Sequence, residues 1–337
     1  MFLNWFFSNI NTDSTNRPTT VKETLRVENE RRIMRSEPRP AGFLSRLSTI
    51  GPGIVVVGSV MGAGELINTP VQAAKFGFAL LWAVLLACMI KIFLQLEIAR
   101  HCLVHNRTTI EALNECPGPK IRGTSWVVLL YLFGYFGTML TVLGIIGALG
   151  GLMNAVLPIT SSPQHSAEIW GALIVALAAA LLSSGVYRHL EIAVALMVGV
   201  FSISALAGLL MLQGTGMRIS ADELATGLTF SLGKEPRAAG FAVISLIGAL
   251  GVTSNELFMY PYWILEKGYA HGLGDPASPG WVARAQQQIR ILRLDAILST
   301  ALATVVTAAF FMLGAAVLHR QATVPKGLDV IDQISSV

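Results

Sequence analysis

The chain has 337 residues, of which 53% are hydrophobic and only 13% are charged, and its mean hydropathy is +0.61. Since a soluble domain usually carries about 25% charged residues, this composition excludes a soluble globular protein and predicts a chain that mostly faces lipid. The three cysteines, Cys88, Cys102 and Cys116, form no Cys-x-x-Cys pair, so no disulfide framework or zinc motif is indicated. No nucleotide-binding loop or nucleophile elbow is present either, and we therefore expect no enzymatic activity and no bound cofactor.

Residues 1–48 are predicted to form a flexible, basic cytoplasmic arm. Eight of the 24 Lys and Arg residues lie in it. Such a polar segment either contacts anionic lipid headgroups or stays a solvated tail. Because the basic residues follow the pattern of a membrane protein, described below, the net charge of +4 does not indicate a nucleic-acid partner.

Residues 49–318 contain seven apolar segments, each near the roughly 20 residues needed to cross a bilayer. Backbone polar groups in lipid must be hydrogen-bonded internally, so each segment is predicted to be a helix and the fold an all-α polytopic membrane bundle. The segments are 50–74, 77–99, 124–157, 168–187, 189–213, 240–265 and 291–318. We expect residues 319–337 to begin a loop towards an eighth span that the chain lacks. The fold is therefore expected to be truncated after the seventh span, and the missing C-terminal helices would be a partner of this chain.

The Lys and Arg residues predict the orientation of the bundle. With the N-terminus in the cytoplasm and seven spans, 17 of them fall on the cytoplasmic side and 6 on the outer side, while Lys91 lies within the membrane. Cytoplasmic loops of membrane proteins carry an excess of Lys and Arg. The distribution therefore predicts an integral protein of the plasma (inner) membrane with a cytoplasmic N-terminus.

Two acidic residues lie well inside apolar segments, where a charge costs roughly 3 kcal/mol. Glu65 in the first segment and Glu256 in the sixth each begin the pattern Glu-Leu-x-x-x-Pro, and glycines precede both. Spans one and six cross the membrane in opposite directions, as equivalent helices of an inverted repeat do. Interrupted helices in such positions expose carbonyls that bind cations. The pattern predicts a transport site at two broken helices near the bilayer midplane.

Several segments after the arm are similar to a known family. They are the run from Ile50 to Trp82, Leu94-Gln95 with Ala99-Arg100, and Gly248-Ala249 with Asn255. These segments resemble the Nramp family of divalent-metal transporters, whose fold is similar to that of the LeuT-like symporters, with two inverted repeats of five helices. The resemblance implies that this chain holds the first repeat and the start of the second.

The chain departs from the family at both broken helices. The family has Asp-Pro-Gly-Asn where this chain reads Gly62-Ala63-Gly64-Glu65, and Ala-x-x-Met-Pro-His-Asn where Val252 and Ser254 replace the methionine and histidine. The resemblance and the buried acids together imply a metal site built from Gly62, Glu65, Ala249, Thr253, Asn255 and Glu256. Every donor in this set is an oxygen, which favours hard cations such as magnesium or calcium over manganese, iron or cadmium.

The leading hypothesis is a secondary transporter that moves a cation, specifically a divalent metal ion, through this site. The alternative is a proton- or cation-coupled symporter of a small organic solute such as an amino acid, which would use the same broken helices. A third hypothesis is a membrane component that transports nothing. The partners expected from the first two are the transported cation or solute and the lipid bilayer.

Lys91, inside the second span, allows two interpretations. It either acts as an internal cation that pairs with Glu65 or Glu97, or extends along the helix to the cytoplasmic surface.

Overall fold

A computed structural model describes residues 51–62, 65, 68–183, 187–233, 235–322 and 324, so the arm at 1–48 and most of the loop at 319–337 lie outside it. The described chain is helical apart from one short antiparallel hairpin, as the all-α prediction requires. The elements are α1 (Pro52–Val60), α2 (Thr69–Phe76), a 3-10 turn (Gly77–Leu80), α3 (Leu81–Ile90), α4 (Ile92–His105), α5 (Thr109–Asn114), β1 (Lys120–Ile121), β2 (Thr124–Ser125), α6 (Trp126–Val156), α7 (Pro163–Ser183), α8 (Tyr187–Leu212), α9 (Ala221–Gly227), α10 (Pro236–Ala249), α11 (Ser254–Glu266), α12 (Trp281–Gly314) and a π-helical turn (Ala315–His319).

The first predicted span is divided into two short helices. α1 ends at Val60 and α2 begins at Thr69, with Pro70 in its first turn. A proline is well tolerated there because the first backbone N–H groups of a helix have no intrahelical acceptor. Between the helices, the backbone N–H of Glu65 donates to the carbonyl of Gly62 at 3.1 Å. The break therefore places Glu65 between two helix ends.

The sixth predicted span is broken as well. α10 ends at Ala249 and α11 begins at Ser254. Gly251 lies between them with a φ of +65°, a left-handed conformation that costs residues with a side chain about 1–2 kcal/mol. Thr253 and Glu256 then form a capping box that starts α11. The interrupted backbone at residues 250–253 separates the two halves of this span.

The two copies of the Glu-Leu-x-x-x-Pro pattern occupy different structural positions. Glu65 precedes α2, and Pro70 lies in the first turn of that helix. Glu256 instead lies in the first turn of α11, and Pro261 lies inside the same helix. The two acids therefore differ in their position relative to the helix start, although both helices are broken. The capping box starts α11 before its acidic residue, whereas α2 starts after its own.

Six helical segments in the described part of the chain are long and apolar enough to cross a membrane. They are Thr69–His105, Trp126–Val156, Pro163–Ser183, Arg188–Leu212, Pro236–Glu266 and Trp281–His319. The first predicted span does not form a segment of its own, because α1 has only 9 residues and α2, with 8, is included in Thr69–His105. Gly77, with a φ of +58°, ends α2 and separates it from the second span. The last helix begins at Trp281, well before the predicted start at 291.

α12 is the central packing element. It contacts α1, α2, α3, α4 and α8, and it contributes residues to all three buried hydrophobic clusters. Phe311, Val306 and Leu292 of this helix are completely buried. At its end, a Cβ placed on Gly314 would lie 2.6 Å from the Cα of Pro70, so α12 and α2 are in backbone contact. The broken first span is thus held against α12 on both sides of its interruption.

The outward faces of α6, α7 and α8 are apolar. α6 and α7 pack mainly on each other, and a Cβ on Gly150 would lie 2.3 Å from the carbonyl oxygen of Ala167. Away from this contact, large side chains such as Phe133, Leu177 and Met211 are 80%, 74% and 76% exposed. Continuous apolar surface of this kind contacts lipid rather than water. These helices therefore form the membrane-facing side of an integral membrane protein.

Candidate cation site at the broken helices

Glu65 is the centre of the first break. Its side chain is 2% exposed, and its Oε2 accepts a hydrogen bond of 2.9 Å from the hydroxyl of Thr69, one turn further on. The backbone of Gly251 and the side chain of Thr307 also interact with this carboxylate. Thr307 is completely buried, and its hydroxyl has no hydrogen bond of normal geometry. Three elements therefore meet at Glu65: the first break, the sixth-span break and α12.

Glu256 has a structural role at the second break. Its Oε2 accepts the backbone N–H of Thr253 at 3.0 Å and also the Thr253 hydroxyl. The bond from the Thr253 N–H is one half of a capping box, in which the acidic residue satisfies a free N–H at the helix start while the Thr253 side chain accepts the Glu256 N–H. Glu256 is half-buried, whereas Glu65 is fully buried. Among the described residues no hydrogen bond joins the two acids, and each carboxylate has its own partners.

The other predicted ligands line the two breaks. Gly62 accepts the N–H of Glu65 through its carbonyl, and Ala249 is the last residue of α10. Asn255, the second residue of α11, is half-buried, and its Oδ1 has no hydrogen-bond partner in the described part of the chain. A buried amide oxygen without a partner is costly, which favours a ligand for it.

The position of Lys91 agrees in part with the first interpretation, an internal cation, but its hydrogen-bond partners are backbone carbonyls. Its Nζ donates to the carbonyls of Gly248 and Leu250, at 3.2 and 2.8 Å, and thus reaches the end of α10. Glu97 instead forms an ion pair with Arg100. The charge of Lys91 interacts electrostatically with both Glu65 and Glu256. Lys91 is therefore part of the site region, as a cation bound to backbone oxygens.

Three residues near the site were not predicted: Thr69, Thr307 and Cys88. The Cys88 thiol is buried and interacts electrostatically with Glu65, so the predicted donor set of oxygens alone omits a nearby sulfur. The sequence could have indicated Cys88 only through its position, because Cys88 lies three residues before Lys91 on one helix. In the described ranges no group of three or more His, Cys, Asp and Glu residues is placed to hold a metal ion. An ion bound at Glu65 would therefore also need carbonyl, hydroxyl or amide donors.

A second polar cluster lies at the other end of α1. Asp295 is completely buried and accepts the N–H of Gly53 at 2.8 Å and the Tyr260 hydroxyl at 2.8 Å. Beside it, Lys267 pairs with Glu191 at 2.5 Å, in a half-buried ion pair. These residues belong to four different spans and the loop after α11. Their hydrogen bonds and ion pair hold the start of α1 against the neighbouring helices.

The family of the chain is defined by the comparison with known proteins. The model of the Natural resistance-associated macrophage protein-like family, Nramp, matches residues 53–336, which is most of the chain. The chain therefore belongs to the Nramp family. The predicted membership is confirmed in spite of the altered motifs at both breaks.

Individual relatives are more distant. The "Divalent metal cation transporter MntH" of Verminephrobacter eiseniae is 27% identical over 192 residues, which is 56% of this chain and 42% of the relative. A crystal structure of a manganese transporter from Eremococcus coleocola superposes with a TM-score of 0.61 at 19% identity, over 83% of this chain and 54% of that one. The same transporter in complex with an aromatic bis-isothiourea substituted compound gives a TM-score of 0.60. These matches confirm the fold, and the chain spans about half the length of these relatives.

Proposed function

We propose that this protein is a secondary transporter that moves a divalent metal cation through the site at the two helix breaks. The observation that carries this proposal is the position of Glu65: a fully buried carboxylate between two helix ends, facing a second broken span. A buried charge in a membrane protein is costly unless it serves a substrate or an ion pathway. The relatives named as divalent metal cation and manganese transporters support the same substrate class.

The proposed ligands are oxygens from both breaks. Glu65 supplies the buried charge, and the carbonyls near Gly62 and Ala249 supply backbone dipoles freed by the interruptions. Asn255 and Thr253 add side-chain oxygens at the start of α11. Glu256 already accepts two hydrogen bonds through one oxygen, so it would contribute through its other oxygen or through its charge.

The test is uptake of magnesium and manganese into proteoliposomes that contain the purified protein. We expect saturable uptake by the unaltered protein and loss of at least tenfold in Glu65→Gln, because the amide removes the buried charge, and tenfold equals about 1.4 kcal/mol of binding. Glu168→Gln is the matched control, since Glu168 is exposed at the surface of α7. It should transport as the unaltered protein does.

Two results would contradict the proposal. Full uptake by Glu65→Gln would show that the ion takes another route. Uptake of an amino acid, with no transport of any metal, would favour the alternative of an organic-solute symporter at the same breaks.

The proposed setting is the plasma (inner) membrane, with the N-terminus in the cytoplasm. The excess of Lys and Arg in the predicted cytoplasmic segments supports this orientation. Single cysteines introduced at Ser162 and Thr226 should react with an impermeant reagent added to intact cells. A cysteine at Gly118, in the loop before β1, should not react, and its labelling would reverse the orientation.

A further inference from the structure

We infer that Lys91 is a built-in cation that competes with the transported ion for the backbone oxygens at the end of α10. Its ammonium group lies 3.2 Å from the Gly248 carbonyl and 2.8 Å from the Leu250 carbonyl. The inference rests on the proposed function, because it assigns a competitor to the same site. It makes Lys91 a residue that sets the affinity of the site for cations.

The end of α10 is a cation-binding position by its backbone alone. The last carbonyls of a helix have no intrahelical donor, and they carry the negative end of the helix dipole. α10 ends at Ala249, and the extended Leu250 and left-handed Gly251 prevent the next turn from forming. The carbonyls freed by this break are those that a transported ion would use, and Lys91 now occupies two of them.

The packing of the second span holds Lys91 at this position. A Cβ on Gly251 would lie only 3.0 Å from the Cα of Cys88, so the break is in backbone contact with α3. Lys91 follows Cys88 by three residues and therefore lies on the same side of that helix. It also lies at the junction of α3 and α4, where the helix is interrupted.

The charges around the site support competition. Lys91 interacts electrostatically with both Glu65 and Glu256, which are the two acids of the proposed site. A divalent ion bound to the same oxygens would lie beside a positive charge and be repelled by it. The ion must therefore displace the ammonium group, and this displacement lowers the apparent affinity. In the ion-free protein, the same group neutralises part of the negative charge of the site.

A purely structural role for Lys91 makes the opposite prediction. If Lys91 only ties the second span to the end of α10, its loss should loosen the break and weaken ion binding. If it competes with the ion, its loss should strengthen ion binding. The sign of the change in affinity therefore distinguishes the two roles.

The experiment measures binding of magnesium and manganese to the purified protein by isothermal titration calorimetry. Lys91→Met removes the charge at nearly constant length, and Lys91→Gln is a second neutral variant in case the first does not fold. We expect each neutral variant to bind roughly tenfold more tightly than the unaltered protein, a change of order 1.4 kcal/mol. Lys91→Arg retains the charge and should bind as the unaltered protein does. The matched control is Lys120→Met, since Lys120 is exposed on β1, and it should have no effect.

The outcomes separate this inference from the proposed function. If the unaltered protein binds the ion and the neutral variants bind equally or more weakly, the competition is refuted while the proposed function stands. Tighter binding by Lys91→Arg would also refute it, because the charge would then not be the cause. If no variant binds either metal, although all are folded by circular dichroism, the proposed function and the competition fail together.

Discussion

Asp295 of α12 accepts a 2.8 Å hydrogen bond from the backbone N–H of Gly53, in the first turn of α1. The residue before that helix, Gly51, also donates to Asp295, at 3.2 Å. Gly51 is the N-cap of α1 and has no side chain with which to cap it. A carboxylate from a distant span therefore satisfies the free N–H groups that a local Ser, Thr or Asp normally satisfies. The start of α1 depends on tertiary contact with α12.

Asp295→Ala should destabilise the protein strongly. The change removes the acceptor of the Gly51 and Gly53 N–H groups and of the Tyr260 hydroxyl, and a buried N–H group left unpaired costs about 1–3 kcal/mol. We expect a loss of at least about 2 kcal/mol in the free energy of unfolding, measured in detergent by thermal or denaturant unfolding. Asp222→Ala, at an exposed position in α9, is the control. An equal unfolding temperature for both variants would contradict this role of Asp295.

The ion pair between Glu223 and Arg320 predicts a pH dependence at the opposite end of the bundle. Burial opposes ionisation of Glu223, but hydrogen bonds from the Ser220 backbone and from Arg320 outweigh it and hold the pKa of Glu223 below its usual range. A lowered folded-state pKa gives stability that is present above the unfolded-state pKa, about 4.3, and is lost as the pH falls through the folded-state value.

Glu223→Gln should therefore lower stability at pH 7 by no more than about 1 kcal/mol, because the ion pair is partly exposed. The difference from the unaltered protein should begin to shrink as the pH falls below about 4, and it should vanish below the lowered folded-state pKa, where Glu223 is neutral as well. Unfolding temperatures measured in detergent across this pH range test the prediction. A difference that stays constant down to the lowest pH would show that the effect does not come from ionisation of Glu223.

Local patterns in the sequence predicted most of the helices and both breaks. Long apolar segments predicted the membrane helices, and the glycines and Pro70 around Glu65 predicted the interruption of the first span. These features determine the conformation of the residues next to them, so they can be recognised in the sequence directly. The Thr253–Glu256 capping box is also visible in the sequence, but the pattern there favours Glu256 as a substrate ligand as much as the start of a helix.

Contacts between distant parts of the chain could not be predicted in the same way. Lys91 reaches a carbonyl 159 positions away, and Asp295 accepts an N–H that lies 244 positions away. Both of these partners are backbone groups, and each is left without an intrahelical bond by a helix end or a helix break. A sequence shows that the charges of Lys91 and Asp295 cost free energy in a membrane, but it does not show which helix ends these side chains contact.

The predicted donor set omits a sulfur that lies near the proposed site. The proposed oxygen donors favour magnesium and calcium, whereas a thiol favours softer ions such as cadmium. Cys88 is buried near Glu65 and is the candidate for such a contact. Cys88→Ser should leave magnesium binding unchanged and weaken cadmium binding several-fold, with Cys102→Ser as the control. Tighter binding of cadmium or manganese than of magnesium, in the unaltered protein and in Cys88→Ser alike, would contradict the preference for hard ions.

The conformation of Gly251 offers the sharpest test of the second break. Its φ of +65° is unfavourable for any residue with a Cβ, by about 1–2 kcal/mol. A Cβ at this position would also lie 3.0 Å from the Cα of Cys88, so α3 would have to move away from the break. Gly251→Ala should therefore reduce stability by more than the conformational cost alone, and it should displace Lys91 from the Leu250 carbonyl.

The matched control is Gly248→Ala. Gly248 lies inside α10, and an added methyl group there would meet no atom within 4 Å. Alanine also favours a helix by roughly 1 kcal/mol over glycine. Unfolding temperatures of the two variants should move in opposite directions, and a Gly251→Ala protein as stable as Gly248→Ala would show that the chain at residues 250–253 does not adopt this break.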